Sequence, residues 1–224
     1  MTAEIYVNYQ EMLAKQEMPK GRRKVLLTGI ELFAENGFDG TSTSQIANAA
    51  GVSQATIFKY FKTKKDLLIA IVSPIVEQLF PVYRDEFFGN LQHQTDVQKL
   101  IHFIVYDRFE FISQNAEIVK ILLTELLTDK ELISKVANVI IGTYDDQKAE
   151  KGIAATLGQQ ITELQQRGEI YADLALLDIG RTIVGQLFAY FFQTEVLMAQ
   201  MQANEPRDLS QIEQQILRAI SPKY

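Results

Sequence analysis

Residues 41–68 read TSTSQIANAAGVSQATIFKYFKTKKDLL and contain two short helical patterns separated by Gly51. A Thr or Ser within 41–43 is expected to cap the first helix, because short hydroxyl side chains accept hydrogen bonds from the free amides at a helix start. Ser53 is expected to cap the second helix, over 54–61, in the same way. Two short helices joined by a turn of three or four residues that contains glycine are typical of a helix-turn-helix motif.

The apolar residues of this stretch predict a small core of its own. The small residues Ala47, Ala50 and Gly51 are expected to let the helix backbones approach closely. The core between the helices is expected to be sealed by Ile46, Val52, Ile57 and Phe61, with Val52 as a buried plug. Upstream, apolar residues at helical spacing predict a helix over 22–36. Gly37 is expected to end that helix in a left-handed cap, with Phe38 folded back on the last turn.

The rest of the chain also reads as helical, because apolar residues recur at helical spacing and strand patterns are almost absent. Pro74 and Pro81 are expected to kink or break the long helix that begins at Lys64, since proline lacks an amide hydrogen and crowds the preceding turn. Further helices are predicted over 96–113, 116–127, 130–141, 144–167, 172–202 and 208–220. The predicted fold class is all-α.

Charge is distributed unevenly along the 224 residues. The formal net charge is −6, yet residues 20–65 carry eight basic and three acidic side chains, which leaves −11 for the remainder. A basic segment on an acidic body suits a protein that touches phosphate with one end only. The first twenty residues contain three glutamates and no apolar stretch of signal-peptide length, and the apolar region around 183–198 is too short to span a bilayer, so a soluble cytoplasmic protein is expected.

The side chains left outside the second short helix indicate a nucleic acid as partner. They are Gln54, Ala55, Thr56, Phe58 and Lys59. A helix of this kind presents its first residues to base edges in the major groove, where Gln bonds adenine and a methyl group contacts thymine. Lys59, Lys62 and Lys64 are expected at phosphates. Phe58 has no hydrogen-bonding reason to be exposed.

This segment resembles the DNA-binding domain of the tetracycline-repressor (TetR) family, whereas the rest of the chain resembles it only as helices. The residues that carry the resemblance are FAENGF at 33–38, TS at 41–42, IA at 46–47, AGVS at 50–53, TIF at 56–58, YF at 60–61, Lys64 and LL at 67–68. The resemblance implies an N-terminal three-helix helix-turn-helix DNA-binding domain over 20–66 and a C-terminal helical ligand-binding and dimerisation domain over 67–224. Residues 1–19 are an N-terminal extension.

The resemblance also implies a role for each matching position. Thr43, Thr56 and Lys64 resemble phosphate binders, and Tyr60 stands where an aromatic ring or a histidine flanks the groove. The positions that resemble base-edge or groove contacts are Ser44, Gln54, Ala55 and Lys59. The family usually has tyrosine at the position of Phe58, where the hydroxyl touches phosphate, so this chain lacks one such hydrogen bond.

For the acidic body, the resemblance implies a ligand cavity and a dimer made by the last two long helices. The aromatic candidates for the cavity are Phe80, Tyr83, Phe87, Phe103, Tyr106, Phe109, Tyr144 and Phe188. The candidates for the dimer interface are Ile183, Leu187, Tyr190, Phe191, Ile212 and Ile216. Apolar residues on more than one face of 179–198 are consistent with a second buried surface, and a central core helix of a monomer is the alternative.

The sequence therefore predicts a ligand-responsive transcriptional regulator, most simply a repressor that binds a palindromic operator as a homodimer and is released by an unknown, largely apolar small molecule. A DNA-binding activator and a helical protein-interaction module are the alternatives. No enzyme, catalytic residue, cofactor, metal site or membrane partner is expected, because the chain has no cysteine, two isolated histidines and no catalytic or nucleotide motif. Two alternatives remain for residues 1–19: an extra helix packed on the body, or an arm that reaches into the minor groove. The acidity of this segment disfavours the arm.

Overall fold

The computed structural model describes residues 5–126, 130, 133–134, 153–197 and 204–224. Within these ranges the regular elements are all helical, and no strand occurs, which confirms the predicted fold class. The chain divides into two compact units. The first comprises Met1–Tyr83 with Asn115–Ile140, and the second comprises Arg84–Gln114 with Ile141–Tyr224.

The helices of the first unit begin with one that precedes the basic segment. In chain order they are α1 (Ile5–Lys15), α2 (Lys20–Gly40), α3 (Thr43–Ala50), α4 (Gln54–Tyr60), α5 (Lys64–Pro74), a π-helical turn (Ile75–Leu79) and the start of α6 (Phe80–Leu91). The chain then enters the second unit and returns to the first with α8 (Ala116–Leu126). The second unit contains the remainder of α6, α7 (Val97–Gln114), α9 (Ile153–Gln166), α10 (Leu176–Phe192), a second π-helical turn (Gln193–Leu197) and α11 (Glu205–Ile220).

Helix α2 changes direction at Gly37, where the sequence predicts its end. Gly37 has φ 73° and ψ 167°, so the positive φ is confirmed, but the extended ψ differs from the expected left-handed helical cap. Phe38 folds back as predicted, with its ring centroid 5.4 Å from that of Phe33. The buried Thr41 lies just beyond the break, and its Oγ1 lies 2.9 and 2.8 Å from the carbonyl oxygens of Leu32 and Gly37. These contacts hold the chain as it turns into α3.

The two prolines do not break the long helix, so that part of the prediction was wrong, whereas a kink stays a prediction. Pro74 keeps helical dihedral angles (φ −64°, ψ −33°), and helical structure runs from Lys64 to Leu91 through the π-helical turn. Pro81 is the second residue of α6. The turn uses hydrogen bonds to the fifth residue along the chain instead of the fourth, and such turns are among the places where helices kink.

The second unit has its core between α7, α10 and α11. The residues buried there include Ile101, Val105 and Phe109 of α7 and Leu187 of α10. Glu169 is also buried, and its carboxylate accepts the amide hydrogen of Val97 at 2.9 Å, so it caps the start of α7.

One helix of the described ranges, Lys64–Leu91, is long and apolar enough to cross a membrane by length and composition. It is not the 183–198 region that the sequence singles out. A core helix of a protein that never meets a membrane satisfies the same two criteria, so the observation carries little weight alone.

Candidate nucleic-acid interface

Helix α3 begins at a complete capping box. The Ser42 hydroxyl accepts the amide hydrogen of Gln45 at 3.2 Å, and the Gln45 side chain accepts the amide hydrogen of Ser42 at 2.7 Å. This reciprocal pair satisfies two of the amides that a helix start leaves free. It selects Ser42 from the three predicted candidates at 41–43.

The turn between α3 and α4 follows the sequence closely. Gly51 closes α3 in the left-handed region, with φ 65° and ψ 38°. Ser53 caps α4 as predicted, since its Oγ accepts the amide hydrogen of Thr56 at 3.1 Å. Ile57 and Phe61 are buried, whereas Val52 is half-exposed and does not form the buried plug that the sequence suggests.

The outer face of α4 is exposed. Gln54, Ala55 and Lys59 are exposed, and Phe58 has 49% of its surface accessible. Ser44 is exposed at the start of α3. A short helix with a buried inner face and this outer face has the shape of a recognition helix.

The remaining predicted contact residues are half-buried, and three of them, Thr56, Tyr60 and Lys64, have partners inside the chain. The residues in this group are Thr43, Thr56, Tyr60 and Lys64. The Thr56 hydroxyl lies 2.9 Å from the Ser53 hydroxyl, and Lys59 Nζ lies 5.9 Å from the Tyr60 ring centroid.

Lys64 is the most constrained of the predicted phosphate binders. Its ammonium donates to the carbonyl oxygens of Phe38 at 2.7 Å and Thr41 at 3.0 Å, and it lies 4.2 Å from the Phe38 ring centroid. An ammonium has three hydrogens, so two of them serve the bend between α2 and α3. Lys64 therefore has a structural role that the sequence does not indicate.

The first turn of α2 lies beside α4, which sequence reasoning missed. A β-carbon at Gly21 would lie 3.6 Å from Thr56 Cγ2 and 3.9 Å from the Tyr60 ring. Arg22 places its guanidinium carbon 5.7 Å from the Phe61 ring centroid. The signal available in the sequence was the basic run at 20–24, which the charge count includes but the contact prediction omits.

The predicted cavity residues belong to both units. Phe80 and Tyr83 belong to the first unit, and Tyr83 accepts a hydrogen bond from Asn8 at 2.5 Å. In the second unit Phe87 stacks on Phe103 at 5.5 Å, Tyr106 packs on His102 at 4.3 Å, and Phe109 is core, 4.9 Å from Tyr190. Phe188 is 48% exposed, and Tyr144 lies outside the described residues.

Arg108 is a feature of this region that the sequence did not suggest. Its guanidinium carbon lies 3.9 Å from the Phe87 ring centroid and 5.0 Å from that of Phe111. Burial lowers the pKa of Arg108 from its ordinary value, and the neighbouring Asp107 carboxylate, a hydrogen-bond partner, opposes that shift.

The predicted dimer residues require a correction. Ile183, Leu187, Tyr190, Phe191, Ile212 and Ile216 are each at most 8% exposed in a single chain. Tyr190 also donates to Asp208 at 3.2 Å, and burial followed by that carboxylate raises the pKa of Tyr190 to about 12. These side chains build the core of the second unit and are unavailable to a partner chain.

The opposite face of α10 carries the exposed apolar residues. They are Leu177, Val184, Phe188 and Phe192. Their spacing of seven, four and four residues places them along one side of the helix.

A capped α3, a glycine turn and an α4 with an exposed outer face define a helix-turn-helix transcriptional regulator. Residues 25–71 match the family described as "Bacterial regulatory proteins, tetR family". The predicted resemblance to the TetR family is confirmed for this segment.

Two relatives are similar to this chain over most of its length. The "Fatty acid metabolism regulator protein" of Bacillus subtilis is 25% identical over 174 residues, which are 77% of this chain and 82% of that protein. The "HTH-type transcriptional regulator UidR" of Escherichia coli K12 is 24% identical over 188 residues, 80% of this chain and 87% of that protein.

Two crystal structures share the fold. The transcriptional regulator FadR from Bacillus subtilis, in complex with stearoyl-CoA, is 22% identical with a TM-score of 0.57, over 87% of this chain and 95% of that chain. A TetR family transcription regulator from Marinobacter aquaeolei VT8 is 17% identical with a TM-score of 0.56, over 90% of this chain and 95% of that chain.

Proposed function

We propose that this chain is a homodimeric repressor that binds a palindromic operator and releases it when a small molecule binds. The observation that carries the proposal is the exposed outer face of α4, with Gln54, Ala55, Phe58 and Lys59 beside each other in a capped helix-turn-helix. In this proposal residues 20–66 bind DNA, residues 67–224 bind the ligand and dimerise, and residues 1–19 are an extension.

In this proposal the exposed residues of α4 recognise the base sequence of the DNA, and the positively charged side chains contribute to affinity. Gln54 donates to and accepts from an adenine edge, and Lys59 contacts a phosphate. Lys20 and Arg22 add positive charge in the first turn of α2, beside α4. The two α4 helices of a dimer would enter successive major grooves about 34–36 Å apart, one turn of the duplex.

The homodimer is assigned to the exposed face of α10 instead of the buried residues that the sequence suggests. Leu177 and Val184 are 79% and 65% exposed in the single chain, and Phe188 and Phe192 stack on each other at 6.2 Å on the same face. Pairing two copies of this stripe about a two-fold axis removes apolar surface from water.

The effector is proposed to carry a long apolar chain. The relative named as a fatty acid metabolism regulator and the FadR complex with stearoyl-CoA support this class. An effector acts only through its different affinities for the two conformations of the protein, so operator and effector weaken each other's binding reciprocally. Stearoyl-CoA is the first probe, with CoA and stearic acid alone as its controls.

A cytoplasmic location and the absence of catalysis complete the proposal, since the curated relatives are transcriptional regulators. The alternatives remain an activator that uses the same interface and a helical protein-interaction module. An activator differs only in the effect of the bound protein on transcription. An interaction module would be indifferent to every duplex at low salt.

The decisive experiment selects bound duplexes from a random pool with the purified protein. A palindromic consensus is expected, with affinity that falls steeply as salt rises. Gln54→Ala is expected to cost about 1–3 kcal/mol and to relax preference at one base pair of each half-site. If no duplex sequence were enriched, or if Gln54→Ala selected the same sequence as the unmodified protein, α4 would not recognise bases as proposed.

A further inference from the structure

Helix α1 precedes the segment that matches the family, yet it is built into the first unit. Ile5, Tyr9 and Leu13 are at most 1% exposed and recur every four residues, so they form one buried face. Glu11 is exposed on another side of the helix. A helix whose apolar face is fully buried in the first unit is unsuited to reach into a DNA groove, which favours the prediction of an extra helix for this extension.

Hydrogen bonds join α1 to three other elements of this unit. The backbone amide of Ile5 donates to Asn115 Oδ1 at 3.1 Å, next to the start of α8. Asn8 donates to the Tyr83 hydroxyl of α6 at 2.5 Å. Tyr6 donates to the Glu31 carboxylate of α2, and burial followed by this contact raises the pKa of Tyr6 to about 12.

The end of α1 is tied to the part of α2 that lies beside α4. Arg23 Nη2 donates to the carbonyl oxygen of Gln16 at 2.7 Å. Two residues earlier, Gly21 lies within contact distance of Thr56 and Tyr60, since a β-carbon there would meet both. A continuous set of contacts therefore leads from α1 through the first turn of α2 to α4.

Helix α1 also packs against the π-helical turn of the long helix, at Ile75–Leu79. Pro74 and Pro81 flank this turn, and neither has an amide hydrogen to donate. Ile75 and Val76 are nevertheless 1% and 0% exposed. The turn therefore combines reduced backbone hydrogen bonding with dense packing, and α1 supplies part of that packing.

We infer that α1 is a positioning element, which ties the helix-turn-helix to the π-helical turn so that a shift in one is accompanied by a shift in the other. Tyr9 is its central residue. Ile5 and Leu13 lie about one helical turn before and after it and complete the buried face. The inference that this coupling affects DNA binding rests on the proposed function, whereas the mechanical link within the unit does not.

Three substitutions separate this coupling from a general loss of stability. Tyr9→Ala removes the buried ring. Tyr9→Phe keeps the ring and removes only a hydroxyl that has no hydrogen-bond partner among the described residues, so it is expected to behave as the unmodified protein. Glu11→Ala changes the exposed side of the same helix and is the matched control.

The first measurement is hydrogen exchange of the full chain without DNA, at a temperature where circular dichroism shows every variant folded. Tyr9→Ala is expected to accelerate exchange about tenfold at both 75–79 and the start of α2, while α7 and α11 keep their rates. Tyr9→Phe and Glu11→Ala are expected to change neither. Acceleration confined to α1, or spread evenly over the chain, would overturn the inference without involving DNA.

The second measurement adds the selected operator duplex at saturating concentration. In the unmodified protein the duplex is expected to slow exchange in α4 and also at 75–79. In Tyr9→Ala it is expected to slow α4 alone, which a purely structural role of Tyr9 would not produce. Equal slowing at 75–79 in both proteins contradicts the coupling, whereas failure of the unmodified protein to bind any duplex contradicts the proposed function and leaves the first measurement to decide on α1.

Discussion

Phe58 is half-exposed on the outer face of α4 and carries no hydrogen-bonding group. Its ring suits the methyl group of thymine, which projects into the major groove. Replacing the contacted thymine by uracil removes that methyl alone and is expected to weaken binding about fourfold, since a buried methylene contributes about 0.8 kcal/mol. Competition between thymine and uracil duplexes, one position at a time, measures the effect.

The control for this contact is the same comparison with Phe58→Ala. This variant is expected to bind both duplexes equally at that position, although more weakly than the unmodified protein. If the unmodified protein bound both duplexes equally at every thymine of the operator, Phe58 would have no part in reading the sequence.

Two lysines of the interface are expected to respond differently to truncation. Lys64→Ala removes two hydrogen bonds to carbonyl oxygens and is expected to lower the free energy of unfolding by about 1–3 kcal/mol. Lys59→Ala truncates an exposed side chain and is expected to change the free energy of unfolding by less than about 0.5 kcal/mol.

DNA binding gives the second readout for this pair. Lys59→Ala is expected to reduce the dependence of operator affinity on salt by about one phosphate contact. A Lys64→Ala protein as stable as the parent would show that its bonds to Phe38 and Thr41 contribute nothing measurable.

Local chemistry made much of the helix-turn-helix predictable. Caps such as Ser53 and the turn at Gly51 depend on the residue's own backbone and its near neighbours in sequence. The role of Lys64 was not predictable, because its partners Phe38 and Thr41 lie 26 and 23 residues away. Sequence spacing on one helix contains no information about such contacts.

Among the elements, the turn between α3 and α4 allows a sharp comparison of two glycines. A β-carbon would meet nothing within 4 Å at either Gly51 or Gly89, but Gly51 alone has a positive φ. Gly51→Ala is expected to destabilise the protein by about 1–2 kcal/mol because of its left-handed backbone. Gly89→Ala, within α6, is expected to stabilise it by up to about 1 kcal/mol.

Thermal unfolding of the two glycine variants measures both signs in the same host. For a chain of this size about 1 kcal/mol corresponds to a change of about 2–4 °C in Tm. A fall in Tm of the same size for both variants would show that backbone conformation does not explain the requirement for Gly51.

Helix α10 shows where a hydrophobic pattern stops being informative. Apolar residues occur on two of its faces, and the sequence alone favoured Ile183 and Leu187 for a partner chain. Packing with α7 and α11 instead buries that face and leaves Val184 and Phe188 outside. Choosing between two apolar faces requires knowing which other helices are adjacent, and periodicity does not supply this.

At the scale of the whole molecule, the exposed face of α10 predicts the oligomeric state. Val184→Glu places a charge in the proposed two-fold interface and is expected to convert dimers to monomers, because an unpaired buried charge is strongly unfavourable. Val82→Glu is the matched control, since Val82 and Val184 are 62% and 65% exposed. Sedimentation velocity at several protein concentrations distinguishes the two states.

The same pair of variants connects assembly to DNA binding. A monomeric Val184→Glu protein is expected to bind a single half-site as the unmodified chain does and to lose the added affinity of the palindrome. A dimer that persisted in Val184→Glu, or one lost equally in Val82→Glu, would place the interface elsewhere on the chain.

The π-helical turn at Ile75–Leu79 contains one residue more than an ordinary helical turn would. Removing the exposed Gln78 is therefore expected to leave both flanking segments in phase, whereas a deletion inside a regular helix rotates all that follows by about 100°. Relatives whose long helix is one residue shorter would align correctly only with a gap at this place. An ungapped alignment would assign inward side chains to the outward surface for every position beyond Pro81.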